Sequence, residues 1–489
     1  MSYIHSAHDF TVVIHLCIIA CALLLGSTLR SKVGFLRKYL IPAPMIGGVF
    51  LFIFYNYIAK YLNLQTGKAF LEELMFHLLN ISFIAMQLRI PAKKEKAQRK
   101  GSLWANVTAL LAEYGLQCFL GLAAAFFLLR ALLPGSAVAI GLTLCLGFEL
   151  GPGQAESMAK VWEGAPYNVA HAGDVGLTMA AIGFVIGSVV GVFLINRAAN
   201  KGWLSADYVE KLRNRKSGTG FFKLKKDRVA TSFQTTVSES MDTFTLHIAL
   251  ILFVYLISFL ILAGLEWIVR TFIGGKVLEA VQGLWGINFV ISMLCAILVR
   301  KILIAAHAEH VIDNQTCNRI DGIAVDFTVA ACLGAISIAA IRQYWVVILV
   351  LTAIGILITC FITPWFCSRL FKDFSFMRFL MIFGTANGTL PTALSLVRVV
   401  DPDFETPVAQ EYANSTGLMF VFALPILALV NWPAKGNVLG FLGITAAYVV
   451  IAFILYLKLA GKRAFAKGGY FYMDKEGTEE SELSNQVQH

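Results

Sequence analysis

Charge is what this chain lacks. Only 14% of its 489 residues are Asp, Glu, Lys or Arg, where an ordinary globular chain carries roughly 25% because its surface must face water. With 58% hydrophobic residues and a mean hydropathy of +0.71, it can face lipid but cannot cover a water-facing surface. Disorder, a disulfide scaffold and a free cytosolic enzyme are excluded. Paired cysteines are lacking as well. The nine cysteines are scattered through apolar runs without a C-x-x-C pair, so neither a zinc site nor a disulfide framework is indicated and buried thiols are expected. The N-terminus, MSYIHSAHDF, has no positive n-region of a signal peptide, so the first apolar run reads as a retained helix. The net charge of +10 sits in short basic blocks between apolar runs. That is the pattern of cytoplasmic membrane loops, not of a nucleic-acid surface.

What is present is a series of apolar runs near the roughly 20 residues a spanning helix needs. Eleven spans are expected, near 10–29, 42–60, 70–90, 104–132, 170–195, 244–268, 282–299, 321–341, 344–367, 411–432 and 438–458. Two further stretches, 138–163 and 378–398, are apolar but interrupted by Gly, Pro and polar residues. Charge decides their status. Arg30, Lys32, Arg37 and Lys38 follow the first span, and Lys93, Lys94, Lys96, Arg99 and Lys100 the third. The positive-inside rule makes both loops cytoplasmic and puts the N-terminus outside. The basic loop 196–243 must also be cytoplasmic, which leaves one crossing between 134 and 196. Segment 138–163 is therefore expected to return to the outer face as a re-entrant hairpin. The chain comes back inside near Arg369, Lys372 and Arg378, and Lys462, Arg463 and Lys467 keep the tail inside. Segment 378–398 must then re-enter from the cytoplasm.

The expected architecture is an all-α polytopic membrane protein with two inverted repeats, each of five transmembrane helices and one re-entrant hairpin. Residues 1–195 form the first repeat, 196–243 a basic linker, 244–432 the second repeat, 433–460 an additional helix, and 461–489 a polar tail expected to be disordered. Gly147-Phe-Glu-Leu-Gly151 and Gly384-Thr-Ala-Asn-Gly388 occupy matching positions in the halves. Inverted repeats with broken segments at matching positions are the signature of secondary transporters.

Unwound backbone inside a membrane is tolerated only where protein, water or ligand satisfies it. The hairpin tips hold Gly147, Gly151, Gly153 and Gln154 in one, and Gly384, Thr385, Asn387, Gly388, Thr389 and Pro391 in the other. Glycine allows close backbone approach, and half-helix N-termini present donors to an anion. The alternative is small-residue helix packing. Two readings also stand for Asp174 and for Asp326, a cation ligand or an interface-level charge in water. Glu113 is read as pairing with a neighbouring helix. Glu149, within the first hairpin, would repel an anionic substrate unless a cation offsets it. His307 and His310 do not form the H-E-x-x-H zinc pattern.

The residues carry a resemblance. The segment LLLGSTLRSKVGFLRKYLIPAPMIGGVF (24–50), the first hairpin LGFELGPGQAESMAKVWEG (146–164), the helix GDVGLTMAAIGFVIGSVVG (173–191), and GTANGTLPTALSLV (384–397) with PVAQEYANSTGLMFVFALPI (407–426) are similar to the bacterial sodium:glutamate symporter family. Carriers of that family have a histidine where Pro152 stands and a neutral residue where Glu149 stands. The resemblance implies a homodimer in a bacterial plasma membrane. It implies elevator-type, sodium-coupled uptake of glutamate or a related anionic amino acid, with sodium as co-substrate, no cofactor and no transition metal. The backbone around Gly151, Gly153 and Gly388, with Asn387 and Thr389, is expected to hold substrate carboxylates. Gln154, Asp174, Thr385, Thr392 and Asp326 are the expected cation or coupling residues. The competing readings are a sodium- or proton-coupled carrier of a di- or hydroxycarboxylate and, from other classes, a membrane-embedded enzyme or a channel.

Overall fold

The structure, a computed structural model, describes residues 10–39, 41–64, 66–90, 100–133, 135–204, 208–210, 232–237, 239–401, 406–466, 468 and 471. Lys93, Lys94, Lys96 and Arg99, most of the expected linker and the tail from 472 lie outside the described residues.

Every regular element among the described residues is helical. In chain order the main ones are α1 (Thr11–Lys32), α2 (Ala43–Leu62), α3 (Gly67–Leu88), α4 (Ser102–Leu128), α5 (Ala137–Leu150), α6 (Pro152–Lys160), α7 (Ala172–Lys201) and α8 (Thr243–Phe272). They continue with α9 (Val281–Ala305), α10 (Asn314–Ala335), α11 (Ile338–Leu370), α12 (Ser375–Ala386), α13 (Leu390–Val400), α14 (Val408–Ala428) and α15 (Val438–Arg463). Nine of these (α1–α4, α7–α9, α11 and α15) are long and apolar enough to cross a membrane. The expected spans 321–341 and 411–432 are helices too, as α10 and α14. Helix α10 starts at Asn314 because Asp313 caps it, accepting from the Thr316 N–H at 2.8 Å and the Thr316 hydroxyl at 2.6 Å. Burial pushes the Asp313 carboxyl up, but these donors outweigh it and hold it below the usual carboxylate range. The early start brings Arg319 and Asp321 well inside the helix.

The helices pack as two bodies. In the first, α10 lies against α2 and α3, α1 against α2, and α8 and α9 against α3. Its apolar interior is built by Leu51, Leu71, Met75 and Ala331 at one end and by Ile84, Val254, Ala296 and Ile320 at the other. Helix α8 leaves Phe253, Leu256, Leu260 and Trp267 more than half exposed, a lipid-facing surface in a chain of this composition. The second body holds α4, α5–α7 and α11–α15 around the largest core, with Phe148, Trp162, Phe379, Phe383 and Phe441 among its buried anchors. Expected spans one to three and six to eight thus build one body; four, five, nine, ten and both interrupted segments build the other. A salt bridge from Lys160 Nζ to Glu72 Oε2, 2.7 Å long, runs from the second body to the first.

Both interrupted segments are helix–break–helix elements. The first is α5, whose last turn is π-helical (Leu146–Leu150), then Gly151 and α6. The second is α12, then Asn387-Gly388-Thr389 and α13. Each second arm restarts with proline in its first turn, where the missing N–H removes no intrahelical bond. Two of the basic residues expected to mark the cytoplasmic side also bond within the protein. Arg369 donates to the carbonyls of Ala466 and Gly468 at 3.2 and 3.3 Å. Arg378, 1% exposed, donates to Glu411 at 2.7 Å, to Ser102 at 2.9 Å and to the Asp373 carbonyl at 3.0 Å.

Candidate functional site

The two breaks meet. A methyl group added at Gly151 would stand 3.1 Å from Thr389 Cγ2 and 3.6 Å from the Gly388 carbonyl, so the tips are in van der Waals contact. Gly151 has φ +92° and ψ −179°, a backbone region occupied essentially only by glycine. Alanine there faces both backbone strain and the threonine methyl. Gly151→Ala is expected to lower initial uptake rates at least tenfold in reconstituted vesicles. Wild-type rates in the variant would show that the tip geometry is not needed.

Where the tips meet, a cavity of about 110 Å³ opens between the bodies. That is several times what one water needs. The hairpins contribute Glu149, Pro152, Gly153, Gln154, Thr385 and Thr389; α3 contributes Ser82 and Met86; α10 contributes Asp321, Val325 and Thr328. The first backbone bonds of the two returning helices are Ala155 N–H to Gly151 O at 3.0 Å and Ala393 N–H to Thr389 O at 3.1 Å. Neither helix has a side-chain cap. The N–H groups of Gly153 and Gln154, and of Leu390 and Thr392, therefore have no carbonyl one turn earlier to bond. Two positive dipole ends converge on one cavity, an arrangement suited to carboxylate oxygens.

Of the residues singled out from sequence, the structure brings Glu149, Gly151, Gly153, Gln154, Thr385, Gly388 and Thr389 together at the tips. Asn387 and Thr392 do not line the cavity. The Asn387 amide donates to the Phe383 carbonyl at 2.9 Å and accepts from the Thr359 hydroxyl at 3.2 Å. It fastens the break to the π-helical turn Ile358–Ile362 of α11. Thr392 packs toward Gly187 of α7. Asp174 is in the first turn of α7, bonded to His171 Nδ1 at 2.9 Å and to the Ser337 N–H at 3.2 Å, where it ties α7 to the start of α11. Asp326 lies on an exposed face of α10, beside the cavity-lining Val325. Glu113 pairs with a neighbouring helix as expected. It accepts from Thr363 of α11 and from Gln117 at 3.4 Å, and Gln117 also donates to the Ala386 carbonyl at 3.3 Å.

Sequence reasoning missed Ser82, Asp321 and Thr328. Asp321 Oδ1 accepts from Ser82 Oγ at 2.5 Å across the first-body wall of the cavity. The signal was Asp313 followed three residues later by a threonine. It sets the start of α10 and puts Asp321, Val325 and Thr328 on one face at helical spacing.

The family model described as sodium/glutamate symporter matches residues 8–404. No curated protein and no solved structure matches the chain.

Proposed function

This chain belongs to the sodium/glutamate symporter family and is a multi-pass membrane transporter, not an enzyme; from that premise we propose sodium-coupled symport of glutamate or a related anionic amino acid by an elevator-type movement. The observation that carries the reading is the pair of uncapped helix N-termini meeting at one cavity between two helix bodies. Substrate carboxylates sit at the starts of α6 and α13, with the Thr389 hydroxyl. Sodium is held nearby by Thr385, Gln154 and unwound carbonyls. Bound sodium orders the tips and raises substrate affinity, and linkage makes the effect reciprocal.

The division into bodies supports two inverted repeats, because the first three expected spans of each half share one body. In this reading the hairpins re-enter from opposite faces, the chain crosses about eleven times with its N-terminus outside and C-terminus inside, and α15 stands outside the repeat. The second body carries the site across while the first stays fixed in a homodimer, in a bacterial plasma membrane.

Full-length protein in proteoliposomes is expected to accumulate labelled L-glutamate when sodium is directed inward. It is expected to stop when an ionophore collapses the gradient. Uptake indifferent to sodium, or none from correctly inserted protein, would refute the proposal.

A further inference from the structure

The polar lining of the cavity is lopsided. Its charged side chains are Glu149 and Asp321, and no lysine, arginine or histidine lines it among the described residues. The two carboxylates are not equivalent. Asp321 accepts the Ser82 hydroxyl and lies in the field of Arg89. Glu149 is 5% exposed and its Oε2 has no hydrogen-bond partner. The ionisable groups in its field are Glu113, Tyr114 and Cys118 on α4, Cys145 on its own helix and Tyr412 on α14, none of them a cation. A buried carboxylate without donor or cation is costly, and protein interiors seldom leave one so.

The same cavity presents the N-termini of α6 and α13, which favour negative charge. It therefore holds one unpartnered acceptor of positive charge, Glu149, and two poles for negative charge, the pattern of an amino acid and not of a plain dicarboxylate. We propose that Glu149 reads the ligand's amino group: the α-ammonium completes the Glu149 carboxylate while the ligand's carboxylates sit at the helix starts. The inference rests on the transport reading above and narrows it. A dicarboxylate or hydroxycarboxylate lacking the amine brings only negative charge toward two acidic side chains, and the site rejects it.

Matched pairs that differ only in the amine test this: L-glutamate against glutarate and 2-hydroxyglutarate, L-aspartate against succinate, L-alanine against propionate. Each is titrated against purified full-length protein in sodium, following the rise in melting temperature. In the wild type at least one amine-bearing member is expected to act at a concentration at least tenfold lower than its partner. Glu149→Gln, nearly isosteric, is expected to bring that ratio close to one, and Glu149→Asp to keep part of it.

Equal potency within every pair in the wild type overturns the proposal, as does a ratio that survives in Glu149→Gln, or no stabilisation by any compound. A Gln variant that keeps the ratio but needs more sodium also overturns it, by making Glu149 a sodium ligand instead. Should Glu149→Gln not fold, the wild-type and Asp ratios decide. Failure of the transport reading is seen separately, as absent sodium-driven accumulation in vesicles made from the same protein.

Discussion

Replacing Gly384 by leucine is expected to abolish sodium-driven uptake, with initial rates at least a hundredfold below wild type per inserted molecule. The arms of the second hairpin cross at this glycine. A Cβ there would run into the Ala393 Cα and stand 2.9 Å from the Ala393 nitrogen and Cβ. The obstacle is backbone, which cannot rotate aside, so the arms must part. Overpacking of this kind costs about 1–3 kcal/mol, occasionally more. Here it also displaces Gly388 and Thr389, which close the cavity against Gly151. Gly384→Ala should show a weaker form of the same loss. Vesicle uptake normalised to inserted protein checks both, and wild-type rates in the leucine variant would mean that the arms need not touch.

The second large effect is on stability. Arg378→Met should destabilise the protein by about 3–5 kcal/mol, the range for removing one partner of a buried ion pair. It strands Glu411, whose Oε2 otherwise receives the guanidinium at 2.7 Å and the Ser102 hydroxyl. Replacing Arg378 and Glu411 together by methionine should cost less than the single change, because no charge is then left buried alone. Thermal unfolding of the two variants in detergent decides, and a double variant worse than the single one would mean the pair is worth more than its desolvation.

Much of this was legible in the sequence because apolar length and glycine placement are local signals. The breaks at Gly151 and at Asn387-Gly388-Thr389 lie where the interrupted segments placed them. The far wall of the cavity was not legible. Asp321 stood at the edge of the expected span 321–341, and only the capped start at Asp313 moves it into the helix. Charge counting used Arg369 and Arg378 only as markers of the cytoplasmic side, whereas in the structure they hold backbone carbonyls and a buried carboxylate. A one-dimensional pattern cannot separate a basic residue that faces water from one that staples two helices. Asn387 shows the same limit from the other side. It is polar and sits in a break, yet it is turned toward Thr359 and away from the cavity.

The bridge from Lys160 to Glu72 has a bearing on bistability. Its side chains are 46% and 21% exposed, and a pair so open to water is worth about 0–1 kcal/mol. Elsewhere the bodies touch through groups such as Met45, Phe184 and Val329, for which lipid tails are nearly as good a neighbour. If the second body slides as proposed, weak ties and exchangeable grease at these points of the seam add little to hold it on either side. Ligands whose differential affinity is only a few kcal/mol would then suffice to repopulate two positions of small energy difference.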